Sequence, residues 1–172
     1  VSHMGEFMVS GPGVENFLQR MTINDVSRMA VGDAQYSAMC THNGGIVDDL
    51  LIYKKDEGYF LVVNAANIKK NFDWLSKNSP ENISIQNLST DYSLIALQGP
   101  QSREILASFT YINLNMEFYT FTDGEVCDNN VMLSRTGYTG ELGYEIYGDD
   151  KAIVEIWNNL LSAGAQPAGL AA

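Results

Sequence analysis

The chain has 172 residues, 45% hydrophobic and 18% charged, enough apolar material for a proper core and too ordinary a balance for disorder. Ten Lys+Arg against 21 Asp+Glu leave a net charge of −11, so phosphate backbones and anionic lipid are repelled and nucleic acid and membrane are poor candidates as partners. No apolar run approaches the roughly 20 residues that span a bilayer, and the start carries no secretory-signal pattern.

Phe7 to Val9 reads as a strand closed by Gly11-Pro12-Gly13, after which Val14, Phe17, Leu18 and Met21 recur at helical spacing. Gln35 to Thr41 alternates as a strand. Asn43-Gly44-Gly45 is a hairpin turn, and Ile46 to Tyr53 is the return strand, with Asp49, Leu51 and Tyr53 on one face. Tyr59 to Asn64 is a further strand. An amphipathic helix over 66–75 turns Ile68, Phe72 and Leu75 inward and stops at the Ser76–Pro80 loop.

The programme then restarts. Strands are predicted at Ile83–Ile85 and Tyr92–Leu97, and Gln98-Gly99-Pro100 opens a helix carrying Ile105, Leu106 and Phe109. Further strands fall around Met116–Phe121, Glu125–Cys127 and Val131–Arg135. A glycine loop over 137–143, a strand to Tyr147 and a helix from Lys151 to Leu161 follow. The fold class is therefore α+β, with mixed or antiparallel sheets and flanking helices. The paired strand-Gly-Pro-helix segments at Gly11-Pro12 and Gly99-Pro100 suggest pseudo-repeats over roughly 5–80 and 83–165.

Two features carry chemistry. Asp48-Asp49 interrupts an otherwise apolar strand. Neighbouring side chains face opposite sides, so one carboxylate can reach solvent while the other points toward the packed face and needs a partner or a raised pKa. A pair capping the Gly-Gly hairpin is the structural alternative. The second feature is Gly137-Tyr-Thr-Gly140-Glu-Leu-Gly143-Tyr-Glu145, whose glycine spacing by itself means a tight loop. A phosphate cradle does not suit it, because no Lys-Ser/Thr follows and Glu141 and Glu145 would repel an anion. A carboxylate does suit a ring edge presenting two N–H donors, as a pterin or guanine does, and Tyr138 with Tyr36 or Tyr53 could supply flat apolar walls.

Cys40 and Cys127 lie far apart and form no disulfide framework, which points to a reducing compartment. With only two histidines the chain lacks the ligands of a zinc site, so no metal is expected. No nucleophile elbow or Cys–His motif occurs.

Read together and in order, Val1-Ser-His-Met-Gly-Glu6, Cys40…Asn43-Gly-Gly-Ile-Val-Asp-Asp-Leu50, Val62-Val-Asn-Ala-Ala66, Leu97-Gln-Gly-Pro100, Arg135-Thr-Gly-Tyr-Thr-Gly-Glu-Leu-Gly-Tyr-Glu145 and Pro167-Ala-Gly-Leu-Ala-Ala172 are specific. Along essentially its whole length the chain resembles the aminomethyltransferase (T-protein) family of the glycine cleavage system. The resemblance makes Val1 to Glu6 native sequence rather than a tag scar. It implies transfer of an aminomethyl group from the lipoyl arm of the H-protein to tetrahydrofolate, giving 5,10-methylenetetrahydrofolate and ammonia. It matches Asp49 to the family's essential aspartate and Glu145 to the carboxylate that holds the pterin edge. Tyr138, Tyr36, Tyr53, Asn64 and Met4 would complete the folate walls. The partners implied are lipoylated H-protein and tetrahydrofolate, and the compartment is the cytoplasm, or the mitochondrion in a eukaryote.

The family extends beyond both ends of these residues, so the chain is expected to be a fragment lacking an N-terminal segment and a C-terminal barrel-like domain, with little activity of its own. The competing readings are another folate-dependent one-carbon enzyme, such as a demethylase or a sarcosine-dehydrogenase-like folate domain, and a non-catalytic folate-binding protein. The latter would carry Lys-Gly-Cys-Tyr where this chain has Arg135-Thr-Gly-Tyr138.

Overall fold

The computed structural model of the protein describes residues 4–169, so the motifs at Val1–Glu6 and Pro167–Ala172 lie partly outside the described residues. The chain forms two compact units, one reaching to Thr90 and the other beginning at Asp91.

The first unit contains β1 (Met4–Ser10), α1 (Val14–Met21), β2 (Ala34–Cys40), β3 (Ile46–Lys55), β4 (Gly58–Asn64), α2 (Ile68–Asn78) and β5 (Ser84–Asn87). Its five strands lie in the order β2-β3-β4-β1-β5, every pairing antiparallel. The β2–β3 hairpin closes as its Asn-Gly-Gly signal predicts: the Thr41 N–H donates to the Gly45 carbonyl at 2.7 Å and Gly44 takes φ 85°. That left-handed position favours glycine, because a Cβ would crowd the following carbonyl.

Phe7, Val9, Leu50, Ile52, Leu61 and Val63 fill one face of this sheet, covered by Phe17 and Leu18 of α1 and Leu75 of α2. Each fully buried aliphatic or aromatic side chain of this kind contributes about 1.5–3 kcal/mol of transfer free energy, so the two helical stripes suffice to seat both helices on this face. The helix predicted over 66–75 begins instead at Ile68, preceded by a 3-10 turn at Ala65–Asn67, and runs to Asn78. It stops where Ser79 becomes extended (φ −78°, ψ 139°) before Pro80, as pre-proline sterics require.

The second unit contains β6 (Ser93–Gln98), α3 (Ser102–Ala107), β7 (Phe121–Val126), β8 (Asn129–Ser134), β9 (Gly143–Gly148) and α4 (Asp150–Ser162). Its sheet order is β6-β9-β8-β7, again antiparallel. Read from the other edge, β7-β8-β9-β6 repeats the connectivity of β2-β3-β4-β1. Ile95, Leu97, Val131, Leu133, Tyr144 and Ile146 form the helix-covered face, against Leu106 of α3 and Ile153, Ile156 and Leu160 of α4. The Asp149 side chain caps α4 by accepting from the Ala152 N–H at 2.8 Å.

Two predicted strands take a different form. Residues 116–120 are irregular, although Leu114 and Met116 still pack on the core. Tyr119 has φ 64°, which breaks the extended run before Phe121. The strand expected at Glu125–Cys127 is the end of β7, and Cys127 and Asp128 form a two-residue hairpin turn with φ 51° and 59°. Both central residues are left-handed, the geometry that matches strand twist, but Cys-Asp lacks the Asn-Gly signature that marks such turns in sequence. Burial pushes the Cys127 thiol up, away from nucleophile chemistry.

Candidate functional site

On the first unit's sheet, side-chain alternation puts Met4, Glu6 and Met8 of β1, Phe60, Val62 and Asn64 of β4, Asp49, Leu51 and Tyr53 of β3 and Tyr36 of β2 on the face opposite the helices. Met4 stands across from Asn64 in register, and Tyr36 across from Leu51. Four of the predicted site residues therefore gather at one end of this face: Asp49, Tyr36, Asn64 and Met4. Tyr53 lies further along β3 with no exposure, packed rather than presented. Glu6, unremarked in the sequence, is buried on the same face, and burial raises its pKa to about 7.

Asp49 is held from two sides. The Tyr36 hydroxyl donates to Asp49 Oδ2 at 2.7 Å, and Asn64 Nδ2 donates to Asp49 Oδ1 at 2.8 Å. The Tyr36 hydrogen bond is the main reason its carboxyl sits below the usual carboxylate range. Partial burial works against this, and the Asn64 bond supports it. Asp49 is therefore an ionised acceptor at neutral pH, half-buried and hydrogen-bonded through both oxygens.

The acid that turns toward the helices is the preceding one. Asp48 is buried, accepts from Asn64 Nδ2 at 3.1 Å through Oδ1, and accepts from Asn71 Nδ2 at 2.5 Å through Oδ2. A simple hairpin cap would not recruit an amide from α2. Sequence reasoning passed over Asn71, yet its position was a signal: it falls on the inward stripe between Ile68 and Leu75, where an amide is unfavourable unless it is used.

Tyr36→Phe removes the largest influence that depresses the Asp49 carboxyl. A group with a lowered pKa is protonated only at acidic pH, so its loss of a donor moves that protonation upward. The acidic limb of any pH–activity profile that needs ionised Asp49 is expected to shift to higher pH in Tyr36→Phe, measured as kcat against pH. A limb in the wild-type position would mean that Tyr36 does not set the charge state of Asp49.

In the second unit, Glu145 lies on β9 opposite Ala96 and Ser134, on the face away from α3 and α4. It is 8% exposed. The Thr136 hydroxyl makes a short hydrogen bond to Glu145 Oε2, and the Tyr147 hydroxyl donates to the same oxygen at 3.3 Å. Thr136 is itself buried and 2.8 Å from the Ser134 hydroxyl. Neither Thr136 nor Tyr147 stood out in the sequence, because a hydroxyl near a carboxylate leaves no periodic trace.

Gln98 accounts for Gly137 and Gly143 of the 137–143 loop. Its Nε2 donates to the Thr136 and Tyr144 carbonyls, both at 3.2 Å, while its Oε1 accepts from the Thr139 hydroxyl at 3.1 Å. A Cβ on Gly137 or Gly143 would fall inside the Gln98 amide, and Gly137 also has φ 142°. Arg135 ties down the base of the loop, donating to the Gly143 carbonyl at 3.0 Å and lying over the Phe118 and Tyr144 rings. Gly137 and Gly143 thus permit close approach of a side chain, consistent with a tight loop and not with a phosphate cradle. Tyr138, predicted as a wall, projects from this loop at 91% exposure.

Among the described residues no group of three or more His, Cys, Asp or Glu is placed to hold a metal ion. No helix among them is long and apolar enough to cross a membrane.

The geometry can be set beside known proteins. A family model described as the GCVT N-terminal domain matches residues 1–172. The chain is 48% identical over 179 residues to an aminomethyltransferase of Chloroherpeton thalassium, covering all of this chain and 49% of that protein. It is 47% identical over 178 residues to that of Halothermothrix orenii, covering all of this chain and 50% of the relative. The chain spans about half the length of the curated relatives it matches. Among solved structures, the glycine cleavage system aminomethyltransferase T from Bartonella henselae superposes with a TM-score of 0.84 at 29% identity, over 94% of this chain and 44% of the other. A chain of heterotetrameric sarcosine oxidase from Corynebacterium sp. U-96 gives 0.67 at 13% identity over 98% of this chain and 85% of that one, a likeness of fold alone.

Proposed function

The chain belongs to the GCVT N-terminal domain family, and from that premise we propose that it is part of an aminomethyltransferase of glycine cleavage. The enzyme takes the aminomethyl group from the lipoyl arm of the H-protein and forms 5,10-methylenetetrahydrofolate and ammonia. The observation that carries this reading is the Asp49 cluster: an ionised, half-buried carboxylate clamped by Tyr36 and Asn64. It is an acceptor for ring N–H donors, not a cage for an anion or a metal.

Tetrahydrofolate supplies the nitrogens that take up the one-carbon unit. The residues of this chain orient it and place charge. Asp49 accepts a hydrogen bond from an N–H of the ring system and stabilises positive charge that develops beside it, while Tyr36 and Asn64 keep the carboxylate ionised and aligned. Glu145, oriented by Thr136 and Tyr147, accepts from the donor edge of the pterin. Met4 supplies apolar contact next to Asn64, and Tyr138 an exposed aromatic surface. Tyr53 supports the Asp49 face from within the sheet. The repeated strand order in the two units supports reading residues 5–80 and 83–165 as pseudo-repeats.

The full-length protein incubated with aminomethylated H-protein is expected to release ammonia in step with methylenetetrahydrofolate, and only when tetrahydrofolate is supplied. Folate-independent ammonia release, or oxidation of a secondary amine in its place, would move the protein to another branch of folate chemistry.

A further inference from the structure

We propose that Asn71 is a positioning residue for Asp49, acting through Asp48 and Asn64; this rests on the reading of Asp49 as the acid of the reaction centre. Asn71 has no exposure and sits on α2 within the stripe that packs against the sheet. Its Oδ1 is buried without a hydrogen-bond partner, so the amide is an incompletely satisfied polar group at a position where an apolar side chain would pack without that penalty. Among the described residues, the one side-chain hydrogen bond of Asn71 is the 2.5 Å donation from Nδ2 to Asp48 Oδ2.

That bond matters because of what Asp48 shares. A single group, Asn64 Nδ2, donates to Asp48 Oδ1 at 3.1 Å and to Asp49 Oδ1 at 2.8 Å. The two carboxylates stand on opposite faces of β3, and the two N–H groups of this one amide bridge them, so a displacement of Asp48 also moves the donor that Asp49 accepts from. While Asn71 supplies Asp48 with its own donor, the Asn64 amide stays closer to Asp49. Without Asn71, a buried carboxylate would draw Asn64 toward itself, and Asp49 would lose one of its two side-chain hydrogen bonds. Two neighbouring positions give Asp48 no donor. Lys70 on the same helix donates to the Val47 carbonyl at 2.6 Å, and the cross-strand neighbour of Asp48 is Met39.

The test uses the full-length protein and two variants, Asn71→Leu and Asn71→Asp. Without ligand, the Asp49 carboxyl is followed by carbon-13 NMR against pH. With aminomethylated H-protein and tetrahydrofolate, kcat and KM are measured across pH. In Asn71→Leu the Asp49 titration is expected to move upward, and kcat to fall by about ten- to a hundredfold with KM for tetrahydrofolate changed less than about threefold, the pattern of lost alignment. In Asn71→Asp the new carboxyl and Asp48 share one proton, which preserves a donor, so behaviour close to wild type at low pH gives way to loss as pH rises. An unchanged Asp49 titration in Asn71→Leu, or a loss confined to thermal stability, overturns the proposal. A shifted titration in a protein that shows no folate-dependent turnover even as wild type would uphold the network and sink the functional reading instead.

Discussion

Asp49→Asn in the full-length protein is expected to cut turnover by roughly 10²–10³-fold while tetrahydrofolate affinity changes by less than about tenfold. The two side chains are nearly isosteric. The Asn carbonyl can still accept from Asn64 or from the Tyr36 hydroxyl, so the shape of the site survives. What disappears is the charge that Tyr36 and Asn64 hold in place. Uniform binding contacts lower KM, whereas a charge that matters only as positive character develops appears in kcat. Single-turnover kinetics with aminomethylated H-protein, alongside folate titration, separates the two. Turnover at the wild-type rate would reduce Asp49 to a strand residue beside a hairpin.

Glu145→Gln is expected to show the complementary pattern, with tetrahydrofolate binding weakened roughly ten- to a hundredfold and a smaller fall in turnover at saturation, the loss of a charged hydrogen bond being worth about 1.5–3 kcal/mol. The amide would turn an N–H donor toward a ring edge that itself donates, or toward the Thr136 and Tyr147 hydroxyls that now point at Oε2. Isothermal titration of wild type and variant at equal salt measures the difference. Equal affinities would remove Glu145 from the pterin site and leave it a buried partner of Thr136.

Where side-chain period decides structure, the one-dimensional reading and the fold agree closely. Val14, Phe17, Leu18 and Met21 marked α1, and Asn43-Gly44-Gly45 marked the β2–β3 turn, because each depends on neighbours a few residues away. The irregular run before Phe121 did not announce itself. Leu114 and Met116 are apolar enough for a strand, and it is their seating on a core built by distant β8, β9 and α4 that holds them without strand pairing. The Cys127-Asp128 turn escaped for a related reason: the flanking pairing of Val126 with Asn129 imposes left-handed backbone on residues that do not prefer it.

The candidate site divides along the same line. Asp49 and Glu145 were legible as costly carboxylates on strands, and the family motifs named them. Asn71 and Thr136 were not, since each acquires its role by meeting a residue from another segment, 23 and 9 positions away respectively.

Composition, turn chemistry and motif order were enough to determine the class of fold and the family, and to single out two acids as candidates. Only the tertiary structure decided that Asp48 is the acid facing α2, that Tyr36 and not a base keeps Asp49 ionised, and that the Gln98 amide fills the space a Cβ at 137 or 143 would take. Hydrogen bonds between segments depend on strand register and helix seating, which arise from the whole packed core and from no local stretch of the chain.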